Sequence, residues 1–192
     1  MFQVRIHGRG GQGVVSGAEL LSVAAFDEGR FAQAFPSFGS ERMGAPVVAF
    51  CRIDDKEIRL REPVMAPDAL IIQDPTLLHQ VDVFQGLRKD GYIIINSTRN
   101  FADLGLGDFA RGFDESRLCT VPATEIAVKH VGRPVPNVPL LAAFAAISGQ
   151  IRLDSVLLAV REKFPGRIAE ANVLAATEAY EFAKKAQEAL HA

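Results

Sequence analysis

A glycine cluster set between a strand-patterned run and a helix-patterned run constrains this chain more than any other feature. Residues 6 to 17 read Ile-His-Gly-Arg-Gly-Gly-Gln-Gly-Val-Val-Ser-Gly. Before the cluster, Phe2, Val4 and Ile6 recur at the two-residue period of a strand, and after it Val14, Ala18, Leu21 and Ala25 recur at helical spacing. Strand, glycine turn and helix in that order open an α/β fold. Glycine tolerates positive φ and lets a ligand approach the backbone. The unbonded amides and the dipole of a helix N-terminus favour an anion. The segment therefore suits a phosphorylated ligand.

Gly8, Gly10 and Gly13 also satisfy G-x-G-x-x-G, a weak dinucleotide signal when it stands alone. A nicotinamide site needs an acidic residue about 20 residues further on, at the end of the second strand. The second strand candidate, Phe31 to Phe35, runs instead into Pro36-Ser37-Phe38-Gly39-Ser40. Asp27 and Glu28 fall at the end of the first helix, and Glu41 follows a long turn. That spacing argues against NAD. It leaves open another phosphorylated ligand, or a glycine turn that only packs helix on strand. Arg9 and Arg42 are the cations beside the two loops, since guanidinium pairs well with phosphate. It pairs equally well with a carboxylate, so Glu41 and Arg42 also suit an internal brace. Gln12 suits either a ligand contact or a cap on the turn. His7, at the entrance of the loop, suits either a ligand hydrogen bond or a brace.

The chain has 192 residues, 48% of them apolar, enough for one domain with a full core. A net charge of −2 and a pI near 6.1 give no basic face for nucleic acid or anionic lipid. No window approaches the roughly 18–20 apolar residues of a spanning helix, and the sequence opens on a strand rather than a signal peptide, so a cytoplasmic location is expected. Cys51 and Cys119 lie far apart in apolar segments, without the spacing of a four-thiolate site, and are expected to be buried and inert. No metal site and no catalytic constellation emerges from His7, His79, His130 and His191.

Further strands are predicted over 46–53, 68–73, 91–96 and 119–122, with a hairpin from Asp54-Asp55 into a strand over 57–60 that makes the sheet mixed. Residues 76–87 are expected to be largely helical, and 98–118 to form an interface or lid element. Helices are predicted over 123–131, over 138–149 with Asn137 as N-cap, over 153–163, and along a last helix striped by Val173, Ala176, Tyr180, Ala183 and Leu190. The expected fold is a single domain, a three-layer α/β/α sandwich with a mostly parallel, mixed sheet: a core over 1–150 and a C-terminal helical portion over 151–192.

Taken together, Gly8 to Gly13 and the segment Ser37-Phe38-Gly39-Ser40-Glu41-Arg42-Met43-Gly44-Ala45-Pro46 resemble the gamma subunit of 2-oxoacid:acceptor oxidoreductases, the pyruvate:ferredoxin oxidoreductase gamma type. In that family the second motif reads Gly-x-Glu-x-Arg-Gly or Gly-x-Glu-Arg-Arg-Gly-Ala-Pro, and Met43 stands here where arginine or glycine is common. The resemblance covers essentially the whole chain. It implies a structural subunit that helps bind coenzyme A through Gly8, Arg9, Gly10, Gly11, Gln12, Gly13, Ser40, Glu41 and Arg42. Thiamine diphosphate, Mg and iron–sulfur clusters would lie in alpha, beta and ferredoxin-like delta subunits, which also engage ferredoxin or an NAD-linked acceptor. The complex would oxidatively decarboxylate a 2-oxoacid to an acyl-CoA. Gly44-Ala45-Pro46 looks like pyruvate-type members, with branched and aromatic oxoacids such as phenylglyoxylate left open. A free-standing nucleotide-binding, NAD-type protein and a purely structural assembly subunit are the alternatives.

Overall fold

The computed structural model describes residues 1–37 and 42–192. Six strands form one mixed sheet: β1 (Phe2–Arg9), β2 (Phe31–Pro36), β3 (Pro46–Asp54), β4 (Ala69–Ile72), β5 (Tyr92–Asn96) and β6 (Leu118–Val121). Their order across the sheet is β2-β3-β1-β4-β5-β6. β1, β4, β5 and β6 run parallel, while β3 is antiparallel to both β1 and β2. The mixed character thus comes from β3 alone, which runs against the other five strands. The expected strand over 57–60 is absent, because this run carries Lys56, Glu57, Arg59, Arg61 and Glu62 and has little apolar surface to bury. Its backbone is held by side chains instead: Gln33 donates to the Leu60 carbonyl and Arg5 to that of Val64.

One face of the sheet is covered by helices. α1 (Val14–Asp27) and α4 (Asn137–Ser148) lie on it, with α3 (Ala123–Val131), α5 (Leu153–Lys163) and α6 (Gly166–Leu190) packed around them. α4 is apolar all round, and residues 137 to 147 are buried throughout, as expected of a central helix. Val4, Ile6, Ile71 and Ile94 from the strands share one core with Phe144 of α4 and with Ala175, Ala176, Ala179 and Ala183 of α6. The alanines let α6 approach α4 closely, so the C-terminal helical portion is part of that core.

The other face carries the third layer, made mostly of irregular chain. Ile72, Ile93 and Ile95 meet Leu77, Val83, Leu87, Phe101, Leu104, Phe109 and Phe113 there. These come from the connection between β4 and β5 and from the one between β5 and β6, which holds the four-residue helix α2 (Gly107–Ala110) and a 3-10 turn, Glu115–Arg117. The helix expected over 76–87 shrinks to a 3-10 turn, Pro75–His79. Leu77 and Val83 both reach the sheet, whereas on a straight α-helix they would point about 120° apart.

Candidate functional site

After β1 the chain crosses the helical face through α1; after β4 it crosses the opposite face. The C-terminal ends of β1 and β4 therefore flank a topological switch point, where open α/β sheets place ligands. The glycine loop follows β1 there, and Asp74 follows β4.

Backbone geometry explains the glycines. Gly11 and Gly13 take φ of 93° and 72°, left-handed values that side chains disfavour. A Cβ on Gly10 would fall on the carbonyl oxygen of Arg42, one on Gly11 on the sulfur of Met43, and one on Gly13 2.5 Å from Nδ2 of Asn137. The two sequence motifs are joined directly: the Gly10 amide donates to Ala45 O (2.9 Å), and the Gly44 amide returns a bond to Gly10 O (3.1 Å). Met43 bridges Gly10 through its backbone.

Arg9 lies inside this junction. Its guanidinium donates to Thr76 Oγ1 (2.9 Å), Gln80 Oε1 (2.9 Å) and Gly44 O (3.1 Å), and Nε lies 3.2 Å from the Asp74 carboxylate. Gln12 braces the turn, accepting from the Arg9 amide and donating to Asp74, both at 2.8 Å. Burial pushes the Asp74 carboxyl upward, yet hydrogen bonds from Thr76 and Gln12 and the Arg9 charge outweigh it and hold it below the ordinary aspartate value. Arg42 is exposed. Ser40 and Glu41, and with them the Glu41–Arg42 brace, lie outside the described residues.

Three polar side chains that pattern reading did not single out as site residues complete the loop. Gln73, 1% exposed, donates to Gln12 O (2.7 Å), and its own carbonyl accepts from Asn96 Nδ2 (2.9 Å). Asn96 also bonds Thr124, at the start of α3. Asn137 is the first residue of α4 rather than its N-cap, and it donates to Gly13 O (3.1 Å). The available signal was position: Gln73 and Asn96 end otherwise apolar strands at the carboxyl edge of the sheet.

These bonds turn the loop carbonyls of Gln12 and Gly13 inward. Among the described residues, the amides of Gly11, Gly13, Val14, Val15 and Ser16 have no backbone acceptor, and the first turn of α1 holds no acidic side chain. Such an amide cluster at a helix N-terminus can receive an anion. The nicotinamide alternative is disfavoured by topology as well as spacing. β3 lies between β1 and β2, roughly 10 Å of sheet, and β2 ends in Pro36-Ser37 with no carboxylate.

His7 accepts a bond from Arg5 Nε (3.0 Å), and burial, with the Arg5 charge adding to it, lowers its pKa to about 3. It is a neutral brace within the sheet's irregularly covered face. His130 pairs with Glu178 (2.7 Å), which Lys129 also contacts. Both cysteines are buried, and burial pushes their thiols up to about 12, so neither is an accessible thiolate. No helix among the described residues is long and apolar enough to cross a membrane.

The chain is similar to known proteins over nearly its whole length. Pyruvate synthase subunit PorC of Methanothermobacter thermautotrophicus is 45% identical over 96% of this chain and 97% of its own. The pyruvate/ketoisovalerate oxidoreductases common subunit gamma of Pyrococcus abyssi is 44% identical over 94% and 96%. The crystal structure of pyruvate oxidoreductase subunit PORC from Thermotoga maritima superposes with a TM-score of 0.79 at 34% identity, covering 94% of this chain and 95% of that one. With residues 3–182 matching as well, this chain belongs to the pyruvate ferredoxin/flavodoxin oxidoreductase family.

Proposed function

We propose that this chain is the gamma subunit of a multisubunit 2-oxoacid:acceptor oxidoreductase, and that its glycine loop helps bind the coenzyme A that leaves as an acyl thioester. The amide cluster of Gly11 and Gly13 to Ser16, set beside exposed Arg42 at the switch point, carries this reading. Coenzyme A has a pyrophosphate and a ribose 3′-phosphate, so it calls for amides and guanidinium rather than a ribose-binding carboxylate. Arg9 serves differently: tied to Asp74, it shapes the loop, and Arg42 supplies the cation. Thiamine diphosphate with Mg, and the iron–sulfur clusters, belong on this reading to alpha, beta and delta chains. When bound there they supply decarboxylation and electron transfer. Two buried cysteines cannot hold a four-thiolate cluster. Catalytic residues lie in those partners, and ferredoxin or an NAD-linked carrier receives the electrons. The oxoacid is pyruvate or a branched or aromatic analogue. The Pyrococcus abyssi relative is named as common to pyruvate and ketoisovalerate enzymes, which fits a chain that does not choose the oxoacid.

A purely structural subunit is the second reading, favoured by the fact that Gly10, Gly11 and Gly13 each abut atoms of their own chain. The test is steady-state kinetics of the co-purified complex carrying Arg42→Ala. The coenzyme A reading predicts a KM for coenzyme A raised about tenfold, as expected for one lost charge-assisted contact, with the KM for the oxoacid unchanged. An assembled complex with an unaltered coenzyme A KM supports the structural reading.

A further inference from the structure

The two edges of the sheet are built differently. β6 has four residues, and α6 overhangs its approach, with Gln187 donating to Ser116 O (2.9 Å). β2 has six residues and, among the described residues, is paired on one side only. Natural edges are normally blunted by charge, proline, a bulge or a cover. β2 has no charged residue from Phe31 to Ser37 and pairs with β3 without a bulge, and its one proline, Pro36, ends the strand outside the stretch Phe31 to Phe35.

Its hydrogen-bond phase is fixed. The Ser37 amide donates to Val48 O (2.8 Å), so the odd-numbered residues of β2 bond β3. The amides and carbonyls of Ala32 and Ala34 face the outer side. Among the described residues these groups have no further backbone partner. Phe31-Ala32-Gln33-Ala34-Phe35 reads the same in both directions.

We propose that two copies of this chain join through β2, antiparallel about a twofold axis at Gln33, doubling the six-stranded sheet. A twofold contact requires a self-complementary surface, and a palindromic edge provides one. In this register Ala32 of each copy faces Ala34 of the other, and each such pair exchanges N–H···O bonds using the groups left outward. Gln33 faces Gln33 of the second copy as the close, non-hydrogen-bonded pair between them. Phe31, half exposed, comes opposite Phe35 of the second copy, extending the Phe35–Phe50 pair (5.1 Å) into a cross-strand aromatic row. No like charges meet, since Arg30, just before the strand, is paired with Asp55 (3.2 Å).

Sedimentation of the full chain across a concentration series, with oxidative cross-linking of Gln33→Cys, tests this. The expected result is a concentration-dependent dimer, trapped by a disulfide between the two introduced thiols. Both native cysteines are buried and do not compete. Ala34→Pro removes an outward N–H without touching the β3 ladder, so it should abolish dimer and cross-link while the circular dichroism spectrum is retained. Phe31→Lys should act likewise. A monomer at all concentrations without a cross-link overturns the proposal. So does a dimer that survives Ala34→Pro, or, in the co-purified complex, a cross-link from position 33 to a different chain.

Discussion

The two faces of the sheet are covered by different means, and the contrast shows what an irregular cover costs. On the helical face, α1 and α4 satisfy their own backbones, so apolar packing of Val4, Ile6, Ile71, Ile94 and Phe144 suffices. On the opposite face, the irregular segments over 57–90 bring carbonyls with no ladder to join. Buried Arg5 on β1 answers three of them, donating to Val64 O (3.3 Å), Val83 O (3.0 Å) and Gln85 O (2.6 Å). Arg52, 2% exposed, is held between Gln3 and Gln33 and lies over the Phe35 ring. Burial lowers the pKa of both guanidinium groups, with Asp82 and Glu62 opposing it at a distance. Donors with several N–H groups replace secondary structure on this side.

The sharpest way to break the contrast is a pair of truncations. Phe144→Ala, in the helical core, should cost about 3–5 kcal/mol in denaturant unfolding, through the cavity it leaves. Arg5→Met should cost a similar amount, about 3–4 kcal/mol, by leaving buried carbonyls unbonded. Hydrogen exchange separates them: Arg5→Met should deprotect residues 57–67 and 75–90 while β4 and α4 stay protected, whereas Phe144→Ala should lower protection on both faces. Equal loss everywhere in Arg5→Met would show that the cover has no separate identity.

Acid sharpens the same distinction. His7, lowered to about 3 by burial and Arg5, is neutral in the folded chain, while in the unfolded chain it protonates near 6.5. Its stabilising share is thus complete above about 6.5 and is lost as pH falls toward 3, by up to about 2 kcal/mol at pH 5. Urea unfolding from pH 7.5 to 5 should show this slope, and His7→Phe should flatten it. Asp74, shifted below its ordinary value, adds a second loss only at more acidic pH, below about 3.9.

Between the faces lies the glycine loop. Gly13→Ala should cost about 1–2 kcal/mol, because φ of 72° disfavours a side chain and the new Cβ crowds Asn137. An unchanged melting temperature would mean that the loop relaxes freely. Smallest is Glu178→Gln on the outer helical surface, under about 1 kcal/mol despite two cationic neighbours, because the group is largely solvated. A larger loss in thermal melts would mark the α3–α6 contact as part of the core.

How much of this was readable from residues alone follows the same division. α3 and α5 fall on their predicted spans and the strands close to theirs, because periodicity reports burial against a regular partner. The irregular face gave no such signal. Arg5 and Arg52 interrupt apolar strands in a way that ordinarily means a solvated face, and nothing local to residues 57–60 or 76–87 reveals that distant side chains will hold their backbones. At the site, the contact between the glycine loop and Gly44-Ala45 could be expected from the paired motifs. The inward use of Arg9 could not, since Asp74 and Thr76 meet it only when β4 comes alongside β1.

The bond from Asn137 to Gly13 also bears on how the molecule is made. It closes a span of more than 120 residues, and the bonds that Glu28 accepts from the Arg152 amide and the Ser155 hydroxyl close spans as long. Contacts this distant in sequence pay their loop-closure entropy before they return any stabilisation. A growing chain therefore emerges with its glycine turn written but unfinished. Its final shape is set only after α4 has been synthesised and docked, so the loop matures late in the making of the chain.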